Sequence, residues 1–122
     1  MLKVLTTFAI FLGLSVSVQA SVKCSFDLLC SSGNCKNEDY KLSVSATPDV
    51  RVWSFEDGEI TFEMEPKVGN SLASFLGDAG NAQTFMLTIE IASGYASLSK
   101  HSSLLGRLIP VQYYGNCILE SE

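Results

Sequence analysis

The chain reads as an all-β domain: a small antiparallel meander of seven or eight strands, barrel-like and stapled by two disulfides. Three observations predict this class. Apolar and polar residues alternate with period two through most of the chain, no window carries a helical period, and the four cysteines form an even set. A β-sandwich would use the same alternation and is the alternative architecture.

The first element is not part of that domain. Residues 1–20, MLKVLTTFAIFLGLSVSVQA, have the layout of a secretory signal peptide. Lys3 supplies the positive start, Val4 to Val18 the apolar run, and Val18-Gln19-Ala20 the small residues before a cleavage site. The run is about 15 residues, short of the roughly 20 that a helix needs to cross a bilayer. Residues 21–122 then form a single small β-domain. No membrane span is expected in the mature chain. The expected location is exported, periplasmic or secreted.

Charge narrows the partners. The full chain carries 8 basic and 13 acidic residues, net −5, and removal of Lys3 leaves it more acidic still. Phosphate backbones require clustered Lys and Arg, so nucleic acid is not an expected partner. An acidic surface instead suits a cationic protein or envelope component.

The strands follow in order. Val22–Leu28 is the first, carrying Cys24. Cys30-Ser-Ser-Gly-Asn-Cys35 encloses a turn-rich loop, so Cys30 is expected to pair with Cys35. Cys24 and Cys117 are left in the first and last extended segments, and their pairing would bring the ends of the meander together, as a barrel requires. On the chain-entropy model the long bridge contributes about 4.5 kcal/mol and the short one about 2. A metal is not expected, because His101 is the only histidine and Cys-x5-Cys-x4-Cys is not a zinc spacing. A redox site would need Cys-x-x-Cys, which is missing.

Tyr40–Ala46 alternates next, with Tyr40, Leu42, Val44 and Ala46 on one face. Val50–Glu65 reads as a hairpin around Asp57-Gly58. A two-residue turn there pairs Phe55 with Ile60, Trp53 with Phe62 and Arg51 with Met64. Trp53, Phe55, Ile60, Phe62 and Met64 then share an apolar face, with Glu63 and Glu65 opposite. A short strand is expected near Ala73–Leu76. Gln83–Ser102 reads as a second hairpin around Ser93-Gly94, pairing Ile91 with Ala96 and Ile89 with Leu98. Arg107–Cys117 is the last strand, an edge or bulged one because of Pro110.

No catalytic constellation emerges, and an enzyme is not expected. His101 beside Ser97, Ser99, Ser102 and Ser103 has no nucleophile elbow around it. Glu56, Asp57, Glu59, Glu63 and Glu65 read as a solvated face, and Glu63 and Glu65 as a surface for a cationic partner. Trp53 and Phe62 are candidates to line an apolar cavity, although a barrel of this size is just filled by its own side chains. No cofactor is expected. Of Tyr113 and Tyr114, one belongs to the core and the other to the surface.

Ile91-Ala-Ser-Gly-Tyr-Ala96 places Ser93, Gly94 and Tyr95 in a hairpin loop. Together with a cysteine in the first and last strands, this resembles the periplasmic inhibitors of C-type lysozymes. In that family a Ser-Gly loop, followed by a basic residue and Tyr, enters the enzyme's active site. This chain has no basic residue beside the loop. The resemblance implies that Ser93 and Tyr95 face a partner. The functional expectation is an exported, non-enzymatic β-domain that binds a protein or envelope component through its surface. A small lipocalin-like carrier of an apolar ligand, or a lysozyme-inhibitor-like protein, is the alternative.

Overall fold

Residues 20–80 and 82–121 are described by a computed structural model. The leader expected over residues 1–20 lies outside the described residues, except Ala20, which opens the first strand. Eight strands are present among the described residues: β1 (Ala20–Ser31), β2 (Asn34–Ala46), β3 (Trp53–Glu56), β4 (Thr61–Val68), β5 (Leu72–Gly80), β6 (Gln83–Glu90), β7 (Tyr95–Leu104) and β8 (Arg107–Ser121). Each pairs antiparallel with the next, and β8 returns to β1, so one sheet closes into a barrel. A sandwich of two sheets is thereby ruled out.

Alternation builds the interior. Val22, Cys24 and Phe26 of β1, Leu42 and Val44 of β2 and Phe55 of β3 point inward with Met64, Phe75, Phe85, Leu87, Ile89, Ala96, Leu98, Tyr113 and Cys117. Phe26, Val44, Phe55, Phe85, Leu87 and Leu98 have no exposed surface at all. Phe55, Phe62 and Phe85 form a triangle of rings with centroids 4.5 to 5.3 Å apart, and they fill the middle of the barrel.

Both expected hairpins are present, but both registers are shifted by two residues. β3 and β4 pair Trp53 with Met64, Phe55 with Phe62 and Glu56 with Thr61, so the turn is centred one position later than Asp57-Gly58. The cause is local. The Asp57 carboxylate accepts hydrogen bonds from the backbone N–H of Glu59 and of Ile60, folding the turn onto itself. Gly58, at φ +96°, takes the position glycine holds in a type II′ turn. In the second hairpin Ile89 pairs with Ala96 and Leu87 with Leu98, around a four-residue loop, Ile91–Gly94. The Gly94 N–H closes that loop onto the Glu90 carbonyl at 2.8 Å. A shift of two keeps every side chain on its expected face. What changes is the ends: Ile60 and Ile91, expected in the core, are exposed in the turns.

Several bounds also differ. Val50 to Val52 belong to the β2–β3 connection, where Asp49 and Arg51 pair through side chains, and β3 keeps only four residues. The short strand expected near Ala73–Leu76 is the full-length β5. β8 is not an edge strand. Pro110 lies where β8 pairs with β7 but has run past its last β1 partner, Gln112 opposite Cys30.

Both disulfides join directly opposed residues, Cys30 with Cys35 across β1–β2 and Cys24 with Cys117 across the β1–β8 closure. They are consistent with an oxidising environment. The β1–β2, β3–β4, β5–β6 and β7–β8 turns gather at one pole of the barrel, the hairpin pole. The other three connections, with Ala20 and Ser121, gather at the opposite, terminal pole.

Candidate functional site

At the terminal pole the inward-facing positions outrun the packed core and leave an apolar bowl of about 330 Å³. Trp53 and Phe75, with ring centroids 5.3 Å apart, lie at its base. Val22, Ile89 and Cys117 form the walls, and Val68, Ile91 and Leu119 form the rim. The rim is wet: Val68 is 70% and Ile91 50% exposed. The strand period explains the lining. Positions 68, 91 and 119 continue the inward rows of β4, β6 and β8 past the point where opposite walls can still touch.

The Ser93–Tyr95 loop stands at this same pole. Ser93 Oγ donates to a Glu90 carboxylate oxygen and accepts from the Tyr95 N–H at 3.1 Å, so its hydroxyl is turned into its own loop. Tyr95 is half exposed. Gly94 touches the bowl and is clamped to β8, accepting from the Cys117 N–H at 2.8 Å. A Cβ at Gly94 would lie 2.6 Å from the Cys117 carbonyl oxygen. The structure therefore brings Trp53, at the base of the bowl, and the Ser93–Tyr95 loop, beside its rim, to one pole. Phe62 is elsewhere, stacked on Phe55 in the packed centre.

No family model, curated protein or solved structure matches the chain. The functional reading therefore rests on the geometry alone.

Glu63 and Glu65 project outward from β4, beside Asp78 and Leu76, in an open groove that also includes Asp49 and Arg51. Arg51 is engaged there by Asp49 at 3.1 Å. His101 is exposed on the outer face of β7. A broader depression of about 530 Å³ crosses the outer wall beside Lys23, Lys41, Glu56 and Asn116. It is larger than the bowl, but shallow and of mixed charge, and no row of apolar side chains converges on it. No group of three or more His, Cys, Asp or Glu side chains that could hold a metal occurs among the described residues.

One cluster at the hairpin pole escaped the sequence reading. Asp57, expected on a solvated face, instead accepts a 2.6 Å hydrogen bond from the Tyr40 hydroxyl. Tyr40 stacks on Tyr113 at 4.7 Å, and Lys100 lies 5.5 Å from the Phe85 ring centroid and 5.9 Å from that of Tyr113. Burial and the bond to Asp57 push the Tyr40 hydroxyl pKa well up. Partial burial works against the Asp57 carboxylate, but the Tyr40 hydroxyl, the two turn N–H groups and nearby Lys100 outweigh it and hold its pKa below the ordinary range. The Tyr40–Asp57 bond latches β2 to the β3–β4 turn. The cluster's signal was available in the alternation, since Lys100 falls in the inward row of Ala96 and Leu98.

Proposed function

We propose that this protein is an exported, non-enzymatic barrel domain that binds a protein or envelope component through its surface, using the terminal pole. One observation carries the reading: an open apolar bowl faces solvent beyond a centre packed by Phe55, Phe62 and Phe85. Exposed apolar surface of this kind marks a contact site. Trp53 at the base, Ile91 on the rim and Tyr95 beside it supply the aromatic and aliphatic anchors that interfaces favour. The acidic outer wall, including Glu63 and Glu65, favours a cationic partner. Insertion of Ser93 and Tyr95 into an enzyme, as the lysozyme-inhibitor resemblance implies, would use this same rim.

Trp53 is the only tryptophan, so its fluorescence reports on the bowl directly. Wild-type protein and the Ile91→Asp variant are compared in pulldown from an envelope extract, with Trp53 emission followed on adding the recovered component. Capture by wild type, a blue shift in emission, and loss of both in Ile91→Asp are expected. Equal recovery by both proteins, or none above background, overturns the reading. A carrier of a small apolar ligand is the second reading, favoured by the apolar lining of the bowl. Native mass spectrometry separates the two, since a carrier retains a small molecule of defined mass.

A further inference from the structure

The bowl at the terminal pole selects its occupant by what its lining lacks. Among the described residues, everything that lines it is aliphatic or aromatic, apart from Gly94 and the bridged Cys117. No charged, hydroxyl or amide side chain faces the space, and the Trp53 indole N–H is the one strong side-chain donor in the lining. The apolar surface also continues outward across the mouth, where Leu119 is 69% and Ile118 60% exposed.

The backbone N–H groups around the mouth are already engaged. Gly69 donates to the Leu72 carbonyl, Ile91 to that of Ser71, Gly94 to that of Glu90 and Cys117 to that of Gly94, all at 2.8 to 2.9 Å. An inserted peptide segment carries a donor and an acceptor at nearly every residue, and this lining cannot pair them. A tryptophan or tyrosine side chain from a partner would bring an N–H or O–H, for which no lining side chain offers an oxygen or nitrogen acceptor.

Size completes the selection. The space of about 330 Å³ equals about eleven volumes of ~30 Å³, the share of one water in the liquid and close to that of one methylene. A leucine or phenylalanine side chain fills only about four or seven of them and leaves walls without contact. A straight chain of about ten carbons fills the space and brings no polar group into it. It would run from Trp53 and Phe75 at the base to Val68 and Leu119 at the mouth.

We infer that the bowl takes one unbranched alkyl chain of about ten carbons, the acyl chain of an amphiphile, with the headgroup left in solvent. The inference rests on the reading of the bowl as the binding site and names what enters it.

The test is titration of Trp53 emission with alkyl glucosides of about six to about fourteen carbons, a series that brackets the length of the bowl. Each is kept below the concentration at which it forms micelles, and one-to-one binding is checked by native mass spectrometry. Affinity is expected to rise about fourfold per methylene up to about ten carbons and to level off beyond, since each buried methylene adds a fixed increment. Decanoate and decyltrimethylammonium are expected to bind within about threefold of decyl glucoside at physiological salt, because no charged side chain lines the bowl. Ala73 faces the bowl from β5, and Ala73→Leu places about three more carbons there. The levelling-off is then expected to move to about seven carbons, with an unchanged or raised melting temperature. If that melting temperature falls, Ala73→Val, expected to move the levelling-off by about two carbons, takes its place.

The inference is overturned if no glucoside binds one-to-one or if affinity follows headgroup charge rather than chain length. It is also overturned if affinity keeps its slope to the longest chain, as adsorption on the exposed rim would give, or if the folded Ala73 variant leaves the levelling-off in place. Failure here is separable from failure of the surface reading. Loss of partner capture in Ile91→Asp without any chain-length dependence would retain a protein contact at the rim and remove only the alkyl chain.

Discussion

Gly115 shows how a single residue governs the closure. It lies opposite Phe26, and a Cβ there would lie 2.1 Å from the Ser25 carbonyl oxygen and 2.6 Å from the Phe26 Cα. Both obstacles are backbone, so neither can rotate away. Gly115→Ala is expected to destabilise the barrel by about 3 kcal/mol in urea denaturation, the upper range for overpacking. Tyr40 makes a second prediction at this scale. Its folded pKa is raised, so its neutral form is the stabilised one, and that stability is complete below the unfolded value near ~10 and lost as pH rises above it. Asp57 has the opposite sign: its contribution is present above the ordinary carboxylate pKa of about 4 and is lost as pH falls below it. Tyr40→Phe is therefore expected to flatten the stability profile on its alkaline side, measured as melting temperature against pH. Alternation alone placed Phe55, Leu87 and Leu98 in the core, because a side chain's face depends only on parity. It could not place Gly115, since the reason for that glycine is the backbone of a strand almost ninety residues away in the chain, a separation close to the 93 of the neighbouring disulfide.

At the scale of elements, the seams are unequal. β1 pairs along nearly its whole length with both β2 and β8, whereas β3 has four residues and meets β2 only between Ser43–Glu56 and Ala46–Trp53. Amide protons of Ser54 and Glu56 are expected to exchange at least about tenfold faster than those of Lys23 and Ser25, read by hydrogen exchange with mass spectrometry or NMR. Equal protection would show that the barrel opens only as a whole. The strand sequence was legible throughout, and the turns were not. Asp57-Gly58 and Ser93-Gly94 correctly marked where the chain reverses. The register depended on a carboxylate folding back on the Glu59 and Ile60 amides and on the Glu90–Gly94 closure, neither of which alternation records. Since the shift was by two, Trp53 kept its face, and its position in the lining of a hollow followed from the same parity.

For the molecule as a whole, closure removes the unpaired edges through which β-proteins aggregate. Seven of its eight seams join strands that are neighbours in sequence, and only β1–β8 spans the chain. Cys24–Cys117 secures that one long-range seam. Replacing both cysteines by serine is expected to cost between about 2 and 5 kcal/mol in urea denaturation, whereas the same change at Cys30 and Cys35 is expected to cost about 2 or less. The pairing was legible because only four cysteines had to be divided and one loop was short. The bowl was less legible, because its volume depends on how far the inward rows outrun the packed rings. The same bridge has a mechanical meaning. Tension applied between Ala20 and Ser121 reaches Cys24 and Cys117 after only a few residues, and from there it is carried by a sulfur–sulfur bond. The sheet beyond the bridge is shielded from load, and only the pairs outside it, Ala20–Ser121 to Lys23–Ile118, can unzip under such a pull.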